Sequence, residues 1–409
     1  MTIETDAPTP TRRAETLIGA TGPGYFPIAL IARLPFAMMV VGILTLLVAA
    51  RDSVALGGMT AAMTGLGTAV FGPLIGAAAD RYGQRRVLLV SGIANSALLA
   101  AMAWLAFSPA ADQVLLAVAF LIGATMPQVA PMSRSRLVGI IDRTFTGPRR
   151  GKTLNGTMAY ESAADEIVFV FGPVVVGLLA TTLNPAAPVI GAAIVGVVFV
   201  TAFALHPTAR TPVPHHEAED QAPLGELFRP EVLVTVAGAV GMGLFFGAML
   251  TSLTAFMAER GAAEQSGLVY GAMGIGSAAL ALGVALFPAR FTLHARWVTF
   301  ASILFAGTLA LPFINTIGAM AVCLLVIGVG IGPTLVTQYS LAAARSPKGR
   351  SATIMTMLGS GVVVGQSAAS ALTGWIAEDA DAGIALIAPL SAAAVVLVAG
   401  ILNASLARR

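Results

Sequence analysis

Apolar runs as long as a bilayer is thick recur along the whole of this chain, and they constrain its fold more than any single motif. A hydrocarbon core of ~30 Å takes about 20 residues of helix. Twelve such runs can be marked off, at 26 to 50, 54 to 78, 87 to 107, 113 to 132, 154 to 182, 186 to 205, 232 to 257, 266 to 287, 297 to 313, 316 to 337, 352 to 376 and 383 to 404. Strands of a membrane barrel would alternate polar and apolar residues, which these runs do not, so helices must satisfy the backbone in lipid. Only 11% of the 409 residues are charged, against roughly 25% in a soluble domain. The expected fold is an all-α membrane protein with 12 transmembrane helices.

Charge between the runs sets the orientation. Positive residues near helix ends stay on the cytoplasmic side, and a cytoplasmic amino terminus places 20 of the 23 Lys and Arg there, leaving out Arg33, Arg51 and Arg260. Both termini are therefore expected in the cytoplasm, in a multi-pass protein of the cell (inner) membrane. Residues 1–25 read as a polar tail, and the first run is too long for the core of a signal peptide. The single cysteine, Cys323, lies inside the tenth run, so no intrachain disulfide is possible.

A proline-bearing polar stretch, 206–231, divides the chain into a bundle of six runs at 26–205 and another at 232–404, followed by a tail at 405–409. His215 and His216 stand beside Glu217, Glu219 and Asp220 in that linker, but adjacent histidines in a solvated segment do not make a metal site, and no metal is expected. The halves are related: "GLGTA" at 65 to 69 returns 209 residues later as "GIGSA" at 274 to 278, and Gly58 corresponds to Gly267. Internal repeats are a common way to build transporters.

Two motifs carry a family resemblance. After the second run comes "GAAADRYGQRR", with Gly76, Asp80, Arg81, Gly83 and Arg85. Gly76 permits a close helix crossing and Gly83 a tight turn, and Asp80 is placed to meet a helix N-terminus. In the fifth run, "GPVVVG" contains Gly172, Pro173 and Gly177, where a bend and a tight contact are expected. The first resembles the loop signature G-x-L-A-D-R-x-G-R-K of the major facilitator superfamily, departing from it at Ala78 and Gln84. The second resembles the helix 5 motif of antiporter branches of that superfamily, with its final Gly pair only partly present. "RLPFAM" and "SRSR" are similar to segments of actinobacterial members.

The resemblance implies two pseudo-symmetric six-helix bundles and alternating access. It gives Asp80 the role of a latch between the halves when the cytoplasmic side is shut, with Arg81 beside it. In the second half the equivalent positions are Ala289, Arg290 and Thr292, so that latch is eroded. Helices 1, 4, 7 and 10 line the cavity in the family, which makes Gln128, Thr251 and Gln338 the substrate-binding candidates. The arginine that many exporters carry in helix 4 is missing from "AVAFLIGATM".

The fifth run opens on three carboxylates, Glu161, Asp165 and Glu166, ahead of an uncharged stretch from Ile167 to Leu183. A charge at the centre of a membrane helix costs about 2.5–3.5 kcal/mol on insertion scales, so such groups face a cavity or a partner. Glu161 is expected at the cytoplasmic interface, with Asp165 and Glu166 a turn deeper. Glu161 and Asp165, four apart, share a face, and Glu166 points about 100° away. Arg33, Arg134 and Arg136 are the available partners. Either an alternating pair couples proton movement to transport, with Asp165 or Glu166 as the titrating group, or a permanent ion-pair cluster holds the helices.

No phosphate loop or hydrolytic constellation is present, so the chain is not read as an enzyme. The expected function is proton-coupled export of a small amphipathic or apolar compound, driven by the proton gradient without a cofactor. A proton-linked importer or facilitator and a transport-inactive receptor are the alternatives. The expected partners are a small-molecule substrate, protons and the lipid bilayer, with no nucleic acid, and the expected state is a monomer.

Overall fold

The computed structural model describes residues 16–51, 53–210, 222–262, 266–288, 290–379 and 385–407. The amino-terminal 15 residues, the linker histidines His215 and His216, Ala289, and the side chains of Glu166 and Pro173 lie outside the described residues.

Twelve helices among the described residues are long and apolar enough to cross a bilayer. The first six are α1 (Tyr25–Arg51), α2 (Leu56–Tyr82), α3 (Gln84–Leu105), α4 (Asp112–Thr144), α5 (Gly147–Thr182) and α6 (Ala187–Leu205). The second six are α7 (Pro230–Met257), α8 (Val269–Leu286), α9 (Leu293–Phe313), α10 (Ile317–Arg345), α11 (Ser351–Gly374) and α12 (Ala388–Leu406). An even number of crossings brings both ends of the chain to one side, called here the terminal face, with the distal face opposite.

Local chemistry sets the helix ends. Ser53, Thr292 and Thr316 accept a backbone N–H in the first turn of the helices they precede, satisfying donors that would otherwise be orphaned. Gly83 turns α2 into α3 at φ +86°, a conformation open chiefly to glycine.

Three helices depart from the sequence expectation, α10 by continuing past 337 to Arg345. α4 continues past 132 to Thr144, as two pieces, Asp112–Ala124 and Val129–Thr144, with Pro127 in the break. α5 starts at Gly147, well before 154, and is continuous to Thr182, through Pro173. Charged residues look like helix ends when lipid is the assumed surrounding, but Arg134 is paired inside the protein and the start of α5, with Arg149, Arg150 and Lys152, is exposed.

Helices 1–6 pack among themselves, as do helices 7–12. The two halves share one crossing made glycine against backbone. A Cβ at Gly67 of α2 would collide with the Phe120 carbonyl, and one at Gly123 of α4 with the Thr64 carbonyl. Gly276 and Gly328 repeat the arrangement between α8 and α10, against the carbonyls of Leu325 and Met273. Gly276 is the repeat partner of Gly67 in the sequence. Gly123→Ala should therefore destabilise the amino-terminal bundle by about 1–3 kcal/mol, read as a lower apparent Tm in detergent. Gly177→Ala, where a Cβ meets nothing within 4 Å, should leave it unchanged.

The halves meet along α2 and α11 and where α4 and α5 reach α8, α10 and α11. Along the α2–α11 seam, the nearest atoms to a Cβ at Gly65, Gly72 or Gly76 are the hydroxyls of Ser367, Ser360 and Thr356. The apolar core of the carboxy-terminal half continues into Val138, Ile141, Phe145, Leu154 and Met158 at the terminal ends of α4 and α5. The terminal face is thus closed by packing between the halves.

Candidate functional site

Charged side chains converge where α1, α4 and α5 meet. Arg33 stands at a break in α1, between Tyr25–Ile31 and Leu34–Arg51. Its Nη1 donates to the Glu161 carbonyl at 3.2 Å and to Asp165 Oδ1 at 3.0 Å, and its Nη2 donates to Glu161 Oε2. Arg134 donates through Nη2 to Asp165 Oδ2. Asp165 therefore binds a different arginine with each oxygen. The second oxygen of Glu161 accepts from the Ser133 hydroxyl at 3.0 Å, and the Tyr25 hydroxyl lies 2.9 Å from Ser133 Oγ.

Two guanidiniums and two carboxylates balance, which is what makes their burial tolerable. Burial is nonetheless unequal. The side chains of Arg33, Arg134 and Glu161 are 3%, 2% and 0% exposed, whereas Asp165 keeps 23%.

This corrects the expected surroundings of Glu161, which is enclosed by protein with no exposed side-chain surface. It lies fourteen residues beyond Gly147, roughly 21 Å along the helix. Asp165 shares its face, as the spacing of four requires. The side chain of Glu166 lies outside the described residues.

Arg136 is also corrected. It is two residues from Arg134, about 200° around the helix, and so leaves the cluster. Its Nε donates to Gln84 Oε1 at 3.1 Å and its Nη1 to the Phe203 carbonyl at 3.1 Å and Thr208 Oγ1 at 3.2 Å, with the guanidinium 4.1 Å from the Phe203 ring centroid. Arg136 ties α4 to α3 and α6.

Two contacts carry the site across to the other half. The Arg134 guanidinium lies 3.8 Å from the ring centroid of Tyr339 in α10. Asp80 caps α11, accepting from Ala352 N at 2.9 Å, Thr353 N at 2.7 Å and Thr353 Oγ1 at 2.6 Å.

Residues 25–370 match the sequence profile of the Major Facilitator Superfamily. The chain belongs to that superfamily. Its function class is membrane transport, and it is not an enzyme. The crystal structure of the human organic anion transporter MFSD10 (TETRAN) is similar, at 16% identity and a TM-score of 0.71, covering 96% of this chain and 99% of that one. So is that of a bacterial homologue of the iron transporter ferroportin in an outward-facing state, at 13% identity and a TM-score of 0.72, covering 94% and 98%. At these identities the likeness speaks for the fold alone. No curated protein sequence matches the chain.

In this major facilitator the motif residues have distinct surroundings. Gly76 packs on Thr356 and the Ala352 carbonyl of α11. Arg81 is exposed, its guanidinium 5.4 Å from the Tyr82 ring centroid, and Arg85 is exposed at the start of α3. Gly172 packs on Ala37 of α1, but Gly177 has no neighbour within Cβ reach among the described residues, so among these the expected tight contact forms at only one of the two glycines. Helix 4 does carry a buried arginine, Arg134, which the shorter run left out.

The three substrate-binding candidates have separate neighbourhoods. Gln128 is buried at the break in α4 and donates to the Met126 carbonyl at 3.1 Å. Thr251 is half-buried against Gly374. Gln338 is fully buried beside Gly238 of α7, and its amide has no hydrogen-bond partner among the described residues. Sequence reasoning missed Ser133, Tyr25 and Tyr339. Ser133 was visible within "SRSR", and Tyr339 directly follows Gln338.

Proposed function

We propose that this chain is a secondary active transporter of the cell's inner membrane, with both termini cytoplasmic, that exports a small amphipathic or apolar organic compound in exchange for protons. The supporting observation is Asp165, the most exposed member of a charge-balanced cluster, with one arginine on each oxygen. A conformational change that separates Asp165 from one arginine leaves charge in a largely dry site without its partner, and in this reading a proton takes the arginine's place. Glu161, locked between Arg33 and Ser133, remains the fixed counter-charge.

With the termini cytoplasmic, closure of the terminal face corresponds to an outward-facing arrangement. Both cluster arginines are engaged by carboxylates, which leaves the Ala-, Val-, Leu- and Met-rich interior better suited to apolar than to anionic cargo.

Inverted membrane vesicles loaded with amphipathic fluorescent dyes test this reading. A gradient of one pH unit is worth about 1.4 kcal/mol, or tenfold in accumulation for one proton. Wild-type vesicles should show gradient-driven accumulation, and Asp165→Asn should abolish it while leaving exchange of dye across the membrane. Transport indifferent to the gradient would point to a facilitator and sink the proposal.

A further inference from the structure

We infer that Tyr339 senses the charge state of Asp165 through Arg134 and thereby sets whether the terminal face is open or shut. The inference rests on Asp165 being the proton-exchanging carboxylate. One side chain makes both connections. Arg134 donates to Asp165 in its own half and lies over the Tyr339 ring of the other, and is 1% exposed.

The two arginines of the cluster differ in what remains when Asp165 is neutral. Arg33 keeps the Glu161 carboxylate. Among the described residues, Arg134 keeps the Glu161 carbonyl at 3.5 Å, the Tyr339 ring and the Glu161 charge it shares with Arg33, and its Nε has no hydrogen-bond partner. An unpaired buried cation is costly, and a ring face compensates only part of that cost. Arg134 is therefore the group that moves toward water, and in moving it leaves Tyr339. Loss of the proton restores the carboxylate, returns Arg134 to its site and presents its face to the ring again.

The charged and titratable groups around Asp165 come from every helix packed there. Arg33 faces it from α1, Arg134 from α4 and Glu161 from its own helix, where Glu166 is the next residue. Tyr339 stands behind Arg134, and Tyr25 and Ser133 stand behind Glu161. Asp80 also links the halves, accepting from Ala352 and Thr353 at the start of α11 with Arg350 nearby. Tyr339 is accordingly a positioning residue that acts through Arg134.

A conformational measurement tests this without knowledge of the cargo. The full-length chain with Cys323→Ser carries spin labels at Lys152→Cys and Ala344→Cys, both exposed at the terminal ends of α5 and α10, and distances are read by pulsed EPR in nanodiscs across pH. Wild type should hold the short distance at high pH and gain a long one as pH falls, and Asp165→Asn should show the long distance at every pH. Tyr339→Phe, which keeps a ring face, should respond as wild type. Tyr339→Leu should raise the long population at high pH about fivefold and should add nothing in the Asp165→Asn background. If Tyr339→Leu behaves as wild type, or adds equally in both backgrounds while Asp165→Asn still shifts the distances, the coupling through Tyr339 is overturned and Asp165 keeps its role. If Asp165→Asn leaves the distances and their pH response unchanged, the proton-exchange reading falls, and the coupling with it.

Discussion

Replacing Arg33 with leucine is expected to cost about 3–5 kcal/mol of stability, the range for breaking a buried ion pair from one side. Arg33 is the partner of Glu161 Oε2, and Glu161 has no exposed surface. Without the guanidinium, Glu161 keeps one hydroxyl donor, Ser133, for a full charge, and Asp165 loses one of its two arginines. The effect should appear as a large fall in apparent Tm and in folded protein extracted from membranes. The double change Arg33→Leu with Glu161→Leu should recover most of the loss, because Asp165 retains Arg134 and no charge is left alone. A double variant as unstable as the sum of the two singles would show that the pair is not coupled. Arg136→Leu is the comparison for a buried arginine outside the cluster, and Glu161→Leu should not rescue it.

Asp80→Asn should have the second large effect, on the terminal face and not on the fold. The Asp80 carboxylate accepts three hydrogen bonds at the start of α11, where the helix dipole also favours a negative charge. Hydrogen bonds to a charged group contribute about 1.5–3 kcal/mol, so losing the charge should open the face roughly tenfold more often or more. In a Cys323→Ser background, Ser360→Cys reports on this. Ser360 is 5% exposed and packs on Gly72 in the α2–α11 seam, so a maleimide reaches that cysteine only when the seam parts. Labelling should accelerate in Asp80→Asn with little change in Tm. Unchanged labelling with a reduced Tm would make Asp80 a fold-stabilising residue and not a latch.

The fold was legible because lipid leaves few choices. Runs of bilayer length specify helices, and the recurrence of "GLGTA" as "GIGSA" marked Gly67 and Gly276, which make the same crossing in the two halves. Gly83 and Gly76 were readable for a similar reason: one has a backbone angle and the other a close approach that a side chain would obstruct.

The site was read only in part. Charge was taken as the mark of a helix end, which holds for an isolated charge in lipid and fails for one that is paired. That assumption ended the fourth run at 132, left Glu161 near water and grouped Arg136 with Arg134. Counting helical turns through "SRSRLVGIID" would have separated the two arginines. Tyr339 had no comparable signal, since its importance comes from a contact between halves that are more than 200 residues apart in sequence.

The two kinds of glycine contact also make a mechanical division. Inside each half, at Gly67, Gly123, Gly276 and Gly328, glycine presses on backbone carbonyls, which cannot step aside, so these joints behave as welds. Between the halves, at Gly65 and Gly72, glycine meets serine hydroxyls that can rotate out of the way. That seam is a sliding bearing. Strain applied at the charged cluster is transmitted through two stiff bodies and released as motion of one past the other.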